Sequence, residues 1–189
     1  MTSHAEVSAD AAALLQHVRS ALPTVNLGLR TESAADLDFS ASLYALTRAE
    51  ELRQVSDWTA EQKAAFCRWQ FDSQHAHYRQ HYPAANLLIL LLDAAPIGRL
   101  YFTRTAAELR LMEITLLDGF RNRGIGGAIN GALIHIAGTD RLPVALHVEP
   151  FNPARRLYER QGFREVETRG IYLFMRREPA GRNGCGGDV

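Results

Sequence analysis

Apolar and polar positions along the chain fall into short periodic stretches. Ala9 to Leu22 is alanine-rich with helical tendency, and Pro23 stops it. Leu14, Leu15 and Val18 are its docking candidates. Docking and loose attachment as an N-terminal extension both stand as readings. Val25 to Arg30 predicts a short strand and Ala34 to Leu46 a helix. Thr47-x-x-Glu50 and Thr59-x-x-Gln62 both have the form of a capping box. They predict a short helix over 48–56 and a longer one over 60–81. The longer one carries Phe66, Trp69, Ser73, Ala76 and Gln80 at helical spacing. Asn86 to Leu92 is almost continuously apolar, as in a central strand. Asp93 to Pro96 turns the chain into Ile97–Thr103, and Thr105 to Ala107 turns it again into Leu109–Leu117. Three strands with such short links predict an antiparallel meander.

Asp118 and Gly119 break the third strand. A basic, glycine-rich loop follows, Arg121-Asn122-Arg123-Gly124-Ile125-Gly126-Gly127. The period then turns helical, with Ile125, Ala128, Ile129, Ala132, Leu133 and Ile136 on one face. Gly138 is placed as its C-terminal cap. Pro143 to Glu149 predicts a further strand. A strand–helix–strand crossover of this length puts it parallel to 109–117. Asn152-Pro153 opens a short helix, Ala154 to Gln161, and Gly162 ends it. Phe163–Val166 and Ile171–Arg176 predict a closing hairpin around Thr168-Arg169-Gly170. From Glu178 the chain is glycine-rich and poor in apolar residues, so 178–189 is expected to be a disordered tail.

Composition narrows the classes. The 189 residues suit one domain with a real core. There are 21 basic and 21 acidic residues, which argues against a dedicated nucleic-acid binder. The longest apolar run, Leu87 to Leu92, is far too short to span a bilayer. The N-terminus has neither a basic n-region nor an apolar h-region, so no secretory signal is read there. Cys67 and Cys185 form no motif, and free thiols in a reducing cytoplasm are the simplest reading.

The glycine loop is where chemistry enters. A helix N-terminus leaves about four N–H groups unpaired and carries partial positive charge. With Arg121 and Arg123 beside it, the loop suits a phosphate or pyrophosphate. An ordinary corner, its glycines only relieving sterics, is the other reading. A P-loop is excluded, because Gly127 is followed by Ala128-Ile129 rather than Lys-Ser or Lys-Thr. The dinucleotide fingerprint also fails, with Ile129 where a small residue is needed. Arg121-x-x-Gly124-x-Gly126 instead resembles the R/Q-x-x-G-x-G/A motif of the GNAT (GCN5-related) N-acetyltransferases. A second stretch resembles that family almost residue for residue. Leu146-His147-Val148 through Asn152, Ala154, Leu157-Tyr158 and Gly162-Phe163 is similar to L-x-V-x-x-x-N-x-x-A-x-x-L-Y-x-x-x-G-F, with one residue fewer between Asn152 and Ala154. The resemblance covers roughly 26–177. More narrowly, Trp58, Gln62-Lys63, Phe66, Gln70-Phe71, Gln74 and His77-Tyr78 resemble a small bacterial subfamily of unassigned substrate. One departure is Asp118-Gly119-Phe120, where many relatives have proline before the basic loop.

The resemblance implies an α/β (α+β) GNAT fold. Its mixed, mostly antiparallel sheet has about seven strands and about four helices, with a V-shaped splay between the 109–117 and 143–149 strands. The acetyltransferase domain then spans 25–177, after an extension over 1–24. The resemblance also implies acetyl-CoA as cosubstrate and an amine acceptor; no metal is expected, and the oligomeric state stays open between monomer and the homodimer that many relatives form. The N–H groups from Asn122 to Gly127 take the pyrophosphate: Asn122, Arg123, Gly124, Ile125, Gly126 and Gly127, with Arg121 adding charge. The backbone of Leu116 and Leu117 pairs with the pantetheine arm. Asn152 reaches that arm or caps its helix. Tyr158 is the family's usual general acid.

Glu113 is the base candidate on its own merits. A carboxylate among Leu111, Met112, Ile114 and Leu116 is costly if buried without a partner. Strict alternation puts it on one face with Leu111 and Thr115. A structural salt bridge or a substrate anchor are its alternatives, and His147 is the alternative base. His77 or Tyr78 is expected to line the acceptor pocket. His77 and His81, four apart, share a helix face as metal ligands can, but no third ligand is evident. Two other functions stay in view: a non-catalytic acyl-CoA-binding or regulatory module on the same fold, and a dinucleotide-binding module.

Overall fold

The structure, a computed structural model, describes residues 7–180. Most of the expected tail, from 181 on, lies outside the described residues. Seven strands form one sheet in the order β1-β2-β3-β4-β5-β7-β6. They are β1 (Leu27–Thr31), β2 (Asn86–Leu92), β3 (Ala95–Arg104), β4 (Leu109–Leu116), β5 (Val144–Val148), β6 (Arg164–Arg169) and β7 (Tyr172–Arg177). All neighbours are antiparallel except β4 and β5, which run parallel, as the crossover predicts. Five α-helices flank the sheet: α1 (Ala9–Ala21), α2 (Leu37–Arg53), α3 (Ala60–His81), α4 (Ile125–Thr139) and α5 (Arg155–Arg160).

The helices divide between the two faces. On one face α1 and α4 cover Leu27, Leu88, Leu90, Leu100, Phe102 and Leu111 in a single apolar cluster. Ala11, Leu14 and Val18 of α1 are fully buried there, whereas Leu15 is only half-buried. α1 is thus part of the core wall. Its start is capped by Ser8, whose Oγ accepts from the Ala11 N–H at 3.1 Å. On the other face α2 and α3, the latter through Phe71, cover Ile89, Arg99 and Tyr101.

Three local expectations need correction. α2 runs unbroken from Leu37 to Arg53, so no helix starts at 48. Thr47 is mid-helix and its hydroxyl donates back to the Tyr44 carbonyl at 2.7 Å, as helical threonines do. The true start lies upstream at Ser33, where a 3-10 turn, Ala34–Asp36, has its own capping box. The Thr59–Gln62 box, by contrast, opens α3 as predicted. Gly138 lies inside α4, whose last turn runs on to Thr139 with Asp140 as the C-cap. The closing turn is Gly170-Ile171, with Gly170 at φ +61°, so β6 extends through Arg169.

The sheet has one irregularity that matters for function. Tyr101 pairs with Glu113, but the next residue, Phe102, pairs with Leu111, so Met112 is an extra residue in β4. Alternation breaks at this bulge. Leu109 and Leu111 before it, and Ile114 and Leu116 after it, all pack in the same apolar cluster. Glu113 therefore does not share a face with Leu111, as strict alternation predicts. The bulge turns Glu113 and Thr115 to the opposite face, beside Arg99 and Tyr101.

Candidate active site

β4 and β5 pair only over Leu109–Leu111 and Val144–Leu146. Beyond that, residues 112–116 of β4 keep β3 on one side but have no strand on the β5 side, which is the V-shaped splay. Leu117 N–H bonds the Ile97 carbonyl at 2.9 Å. The alternation of an antiparallel ladder then turns the N–H of Leu116 away from β3 and into the splay. Leu117 has no backbone group to spare, since its carbonyl accepts from Phe120 at 2.9 Å. The Leu116 carbonyl accepts from Arg121 Nε at 2.9 Å. A ligand strand entering the splay would meet the Leu116 N–H first.

The loop stands at one mouth of the splay. Asn122 and Gly124 both have left-handed backbone, φ 59° and 81°. This bends the chain so that successive N–H groups converge on the start of α4. After Arg121, whose N–H bonds the Asp118 carbonyl at 3.2 Å, the next N–H to find a backbone acceptor is Ala128, bonded to Gly124. Among the described residues nothing accepts from the N–H groups of 122–127. A Cβ at Gly126 would meet nothing within 4 Å, so the approach to these donors is open. Arg121 is held by Asp118 at 2.8 Å and the Leu116 carbonyl. Arg123 lies over the Phe120 ring. Gln161 braces the helix from below, donating to the Gly127 carbonyl at 2.9 Å and accepting from Asn130 at 2.6 Å.

The splay opens into a cleft of about 410 Å³. Glu113, Asn152, Tyr158 and His147 all line it. Tyr158 is 6% exposed, and burial, then the Glu113 charge, push its phenol up to about 12. No hydrogen bond engages its hydroxyl among the described residues, so its proton is free for a ligand. The Glu113 side chain is 18% exposed, and its Oε1 accepts from Thr115 Oγ1 at 2.6 Å. Arg99 Nη2 lies 3.4 Å from the same oxygen. Asn152 Oδ1 accepts from the Ala154 N–H at 2.9 Å, so it caps the turn into α5 while facing the cleft. Burial, then Arg110 and Arg169, lower the His147 pKa and favour its neutral form.

Of the pocket residues named from sequence, Tyr78 lines the cleft and His77 does not. His77 is exposed on α3, its ring 4.4 Å from that of His81. No group of three potential metal ligands occurs among the described residues. The cleft has walls that sequence reasoning missed: Tyr44 and Arg48 from α2, Gln74 from α3 and Tyr82 at its C-cap, Glu149 after β5, and Tyr172 from β7. Apart from Gln74, part of the subfamily pattern, none carries a motif. Only Arg99 left a trace, a lone charge inside the apolar run Ile97–Phe102.

Comparisons with known proteins agree with this geometry. Residues 43–163 match the family model for the acetyltransferase (GNAT) family. No curated protein matches the chain in sequence. Among solved structures, the chain is similar to the PaiA N-acetyltransferase from Thermoplasma acidophilum, solved in complex with coenzyme A. Identity there is 16%, the TM-score 0.60, and the match covers 81% of this chain and 99% of that one. An acetyltransferase from Thermus thermophilus is similar at 19% identity and TM-score 0.57, covering 80% and 96%. Ard1 from Thermoplasma volcanium is similar at 15% identity and TM-score 0.55, covering 82% and 99%. No helix among the described residues is long and apolar enough to cross a membrane. A seven-stranded sheet splayed between β4 and β5, an open N–H cradle at its mouth, and a family model covering most of the chain lead to one conclusion: this chain belongs to the GNAT acetyltransferase family.

Proposed function

We propose that the protein transfers an acetyl group from acetyl-CoA to a primary amine, directly and without a covalent enzyme intermediate. One observation carries this reading. The splay begins beyond Leu111, the Leu116 N–H turns into it, the unspent N–H groups of 122–127 follow just after the end of β4, and Tyr158 and Glu113 line the cleft. The residues fit coenzyme A as cosubstrate. The cradle takes its pyrophosphate, with Arg123 and Arg121 adding positive charge. Leu116 N–H pairs with the pantetheine arm as an added strand would. Asn152 faces the same arm. Acetyl-CoA supplies the activated carbonyl.

The side chains then divide the proton work. Glu113 accepts a proton from the acceptor's ammonium, directly or through water, leaving a neutral nucleophile. As the new N–C bond forms and the C–S bond breaks, the Leu116 N–H stabilises the carbonyl oxygen. Tyr158 donates its proton to the departing thiolate. His147, neutral at physiological pH, is the alternative base. The charged groups lining the cleft, Arg48, Arg110, Glu113 and Glu149, balance in sign. A polyamine would favour a more acidic wall than this.

The test is calorimetry with acetyl-CoA on wild type and on Gly126→Glu, with thiol release measured against a panel of amines. Glutamate at 126 places a carboxylate in the open cradle. Micromolar binding that disappears in the variant, with thiol release for some amine, is the expected result. Binding without thiol release for any amine would favour the non-catalytic acyl-CoA module. No binding would overturn the reading.

A further inference from the structure

Behind the cleft wall lies a buried cation with almost nothing to hold. Arg99 sits in the middle of β3 and is 0% exposed. Its guanidinium is stacked between the rings of Phe71, at 5.3 Å, and Tyr101, at 5.1 Å. Nε, Nη1 and Nη2 are all sealed from solvent without a hydrogen-bond partner. Rings offset part of the cost of burying a charge, but a guanidinium this deep demands an anion nearby.

Two carboxylates are in reach of that demand. Glu32 is already committed. Its Oε1 accepts from Tyr101 at 2.5 Å and from Ser40, and its Oε2 meets His75 Nε2 at 2.8 Å. Glu113 is not committed in this way. It has one hydrogen bond, from Thr115, and lies 3.4 Å from Arg99 Nη2. The bulge at Met112 creates this meeting. It turns Glu113 onto the face of Arg99, whose direct ladder partner is Thr115. Four phenols face Glu113, Tyr44 from α2, Tyr78 from α3, Tyr158 from α5 and Tyr172 from β7. Arg48, Arg110, His147 and Glu149 line the same cleft, but among the described residues only Arg99 lies within ion-pair distance of this carboxylate.

We propose that Arg99 is a positioning residue for the transfer reaction: from behind the wall it supplies the counter-charge that holds the Glu113 carboxylate, ionised and aimed into the cleft. This rests on Glu113 acting as the base, as proposed above. It goes further by making that base half of an ion pair whose other half never touches substrate. A purely structural arginine, packed between Phe71 and Tyr101, would affect melting but not the chemistry of residue 113.

The experiment follows the Glu113 side-chain carboxyl by carbon-13 NMR in wild type and Arg99→Met, its resonance assigned by its loss in Glu113→Gln. With the opposite charge gone, the ionised form of the carboxyl is less favoured, and the titration midpoint should move up. A midpoint that stays put in folded Arg99→Met overturns the proposal. If Arg99→Met does not fold, the same titration is read in Arg99→Gln, a neutral but polar replacement: a raised midpoint supports the pair, and an unmoved one overturns it. Thiol release by Glu113→Gln with acetyl-CoA and the amine panel separates the two readings. Full turnover there removes the base role, and with it a reaction for Arg99 to position. Lost turnover with an unmoved midpoint leaves the base in place and rejects Arg99 alone.

Discussion

At the scale of single residues, Tyr158 is the side chain whose chemistry is most exposed to test. Its phenol is pushed up to about 12, so it keeps its proton across the ordinary working range. Tyr158→Phe keeps the ring and its packing against Phe163 but removes that proton. Acetyl-CoA affinity should hold while kcat falls by about 10²–10⁴, the usual range for a lost general acid. In wild type, no fall in kcat traceable to this phenol is expected below about pH 10. Steady-state kinetics from pH 6 to 10 beside calorimetry would check both. Tyr158 was legible in sequence because its motif names it. Glu113 was legible because a carboxylate in an apolar strand asks for a reason. Its orientation was not, because a one-residue bulge leaves no mark in the local pattern.

At the scale of elements, the entry to α2 shows how a cap is chosen. Arg30 of β1 forks onto Asp36 at 2.6 and 2.5 Å, and Ser33 donates to the same carboxylate from its N–H and hydroxyl. The Arg30 hydrogen bonds, helped by those from Ser33 against the cost of burial, hold Asp36 well below its ordinary value of 3.8. A depressed carboxylate stabilises the fold above its unfolded value and ceases to do so as pH falls through the folded one. Asp36→Asn should therefore cost about 1.5–3 kcal/mol at pH 7. The gap from wild type should narrow as pH falls below about 4, read by urea denaturation at several pH values. Thr47-x-x-Glu50 matched the capping pattern equally well on paper. It lost because the helix through it was already propagating from Ser33, and adding a residue to a helix is easier than starting one.

At the scale of the whole molecule, α1 is where truncation and mutation should be felt. Leu14 is fully buried against the sheet and α4, far from the cleft. Leu14→Ala should cost about 2–5 kcal/mol, as other buried leucines do, and leave acetyl-CoA affinity unchanged in the folded fraction. Thermal melting beside calorimetry checks this; a Tm within a degree of wild type would show that α1 is only loosely attached. The cleft is also a property of the whole. Its walls come from α2, α3, β4, β5, α5 and β7, which are distant in the chain.

What the sequence determined by itself was local. Strand and helix order, the parallel crossover, the glycine-rich loop and the Asn152–Tyr158 segment are all set by periodicity and by residues close in the chain. Those features need only neighbours a few positions away, so they can be read along a line. The tertiary structure alone decided that α1 is built into the core, and that Tyr44, Arg48, Gln74, Tyr82 and Tyr172 converge on one cleft. It also decided that Met112 bulges and turns Glu113 toward Arg99. Each of these depends on which face of the sheet a residue meets and on what packs against it. Burial and charge pairing act through space, between residues whose separation in the chain carries no information about their distance.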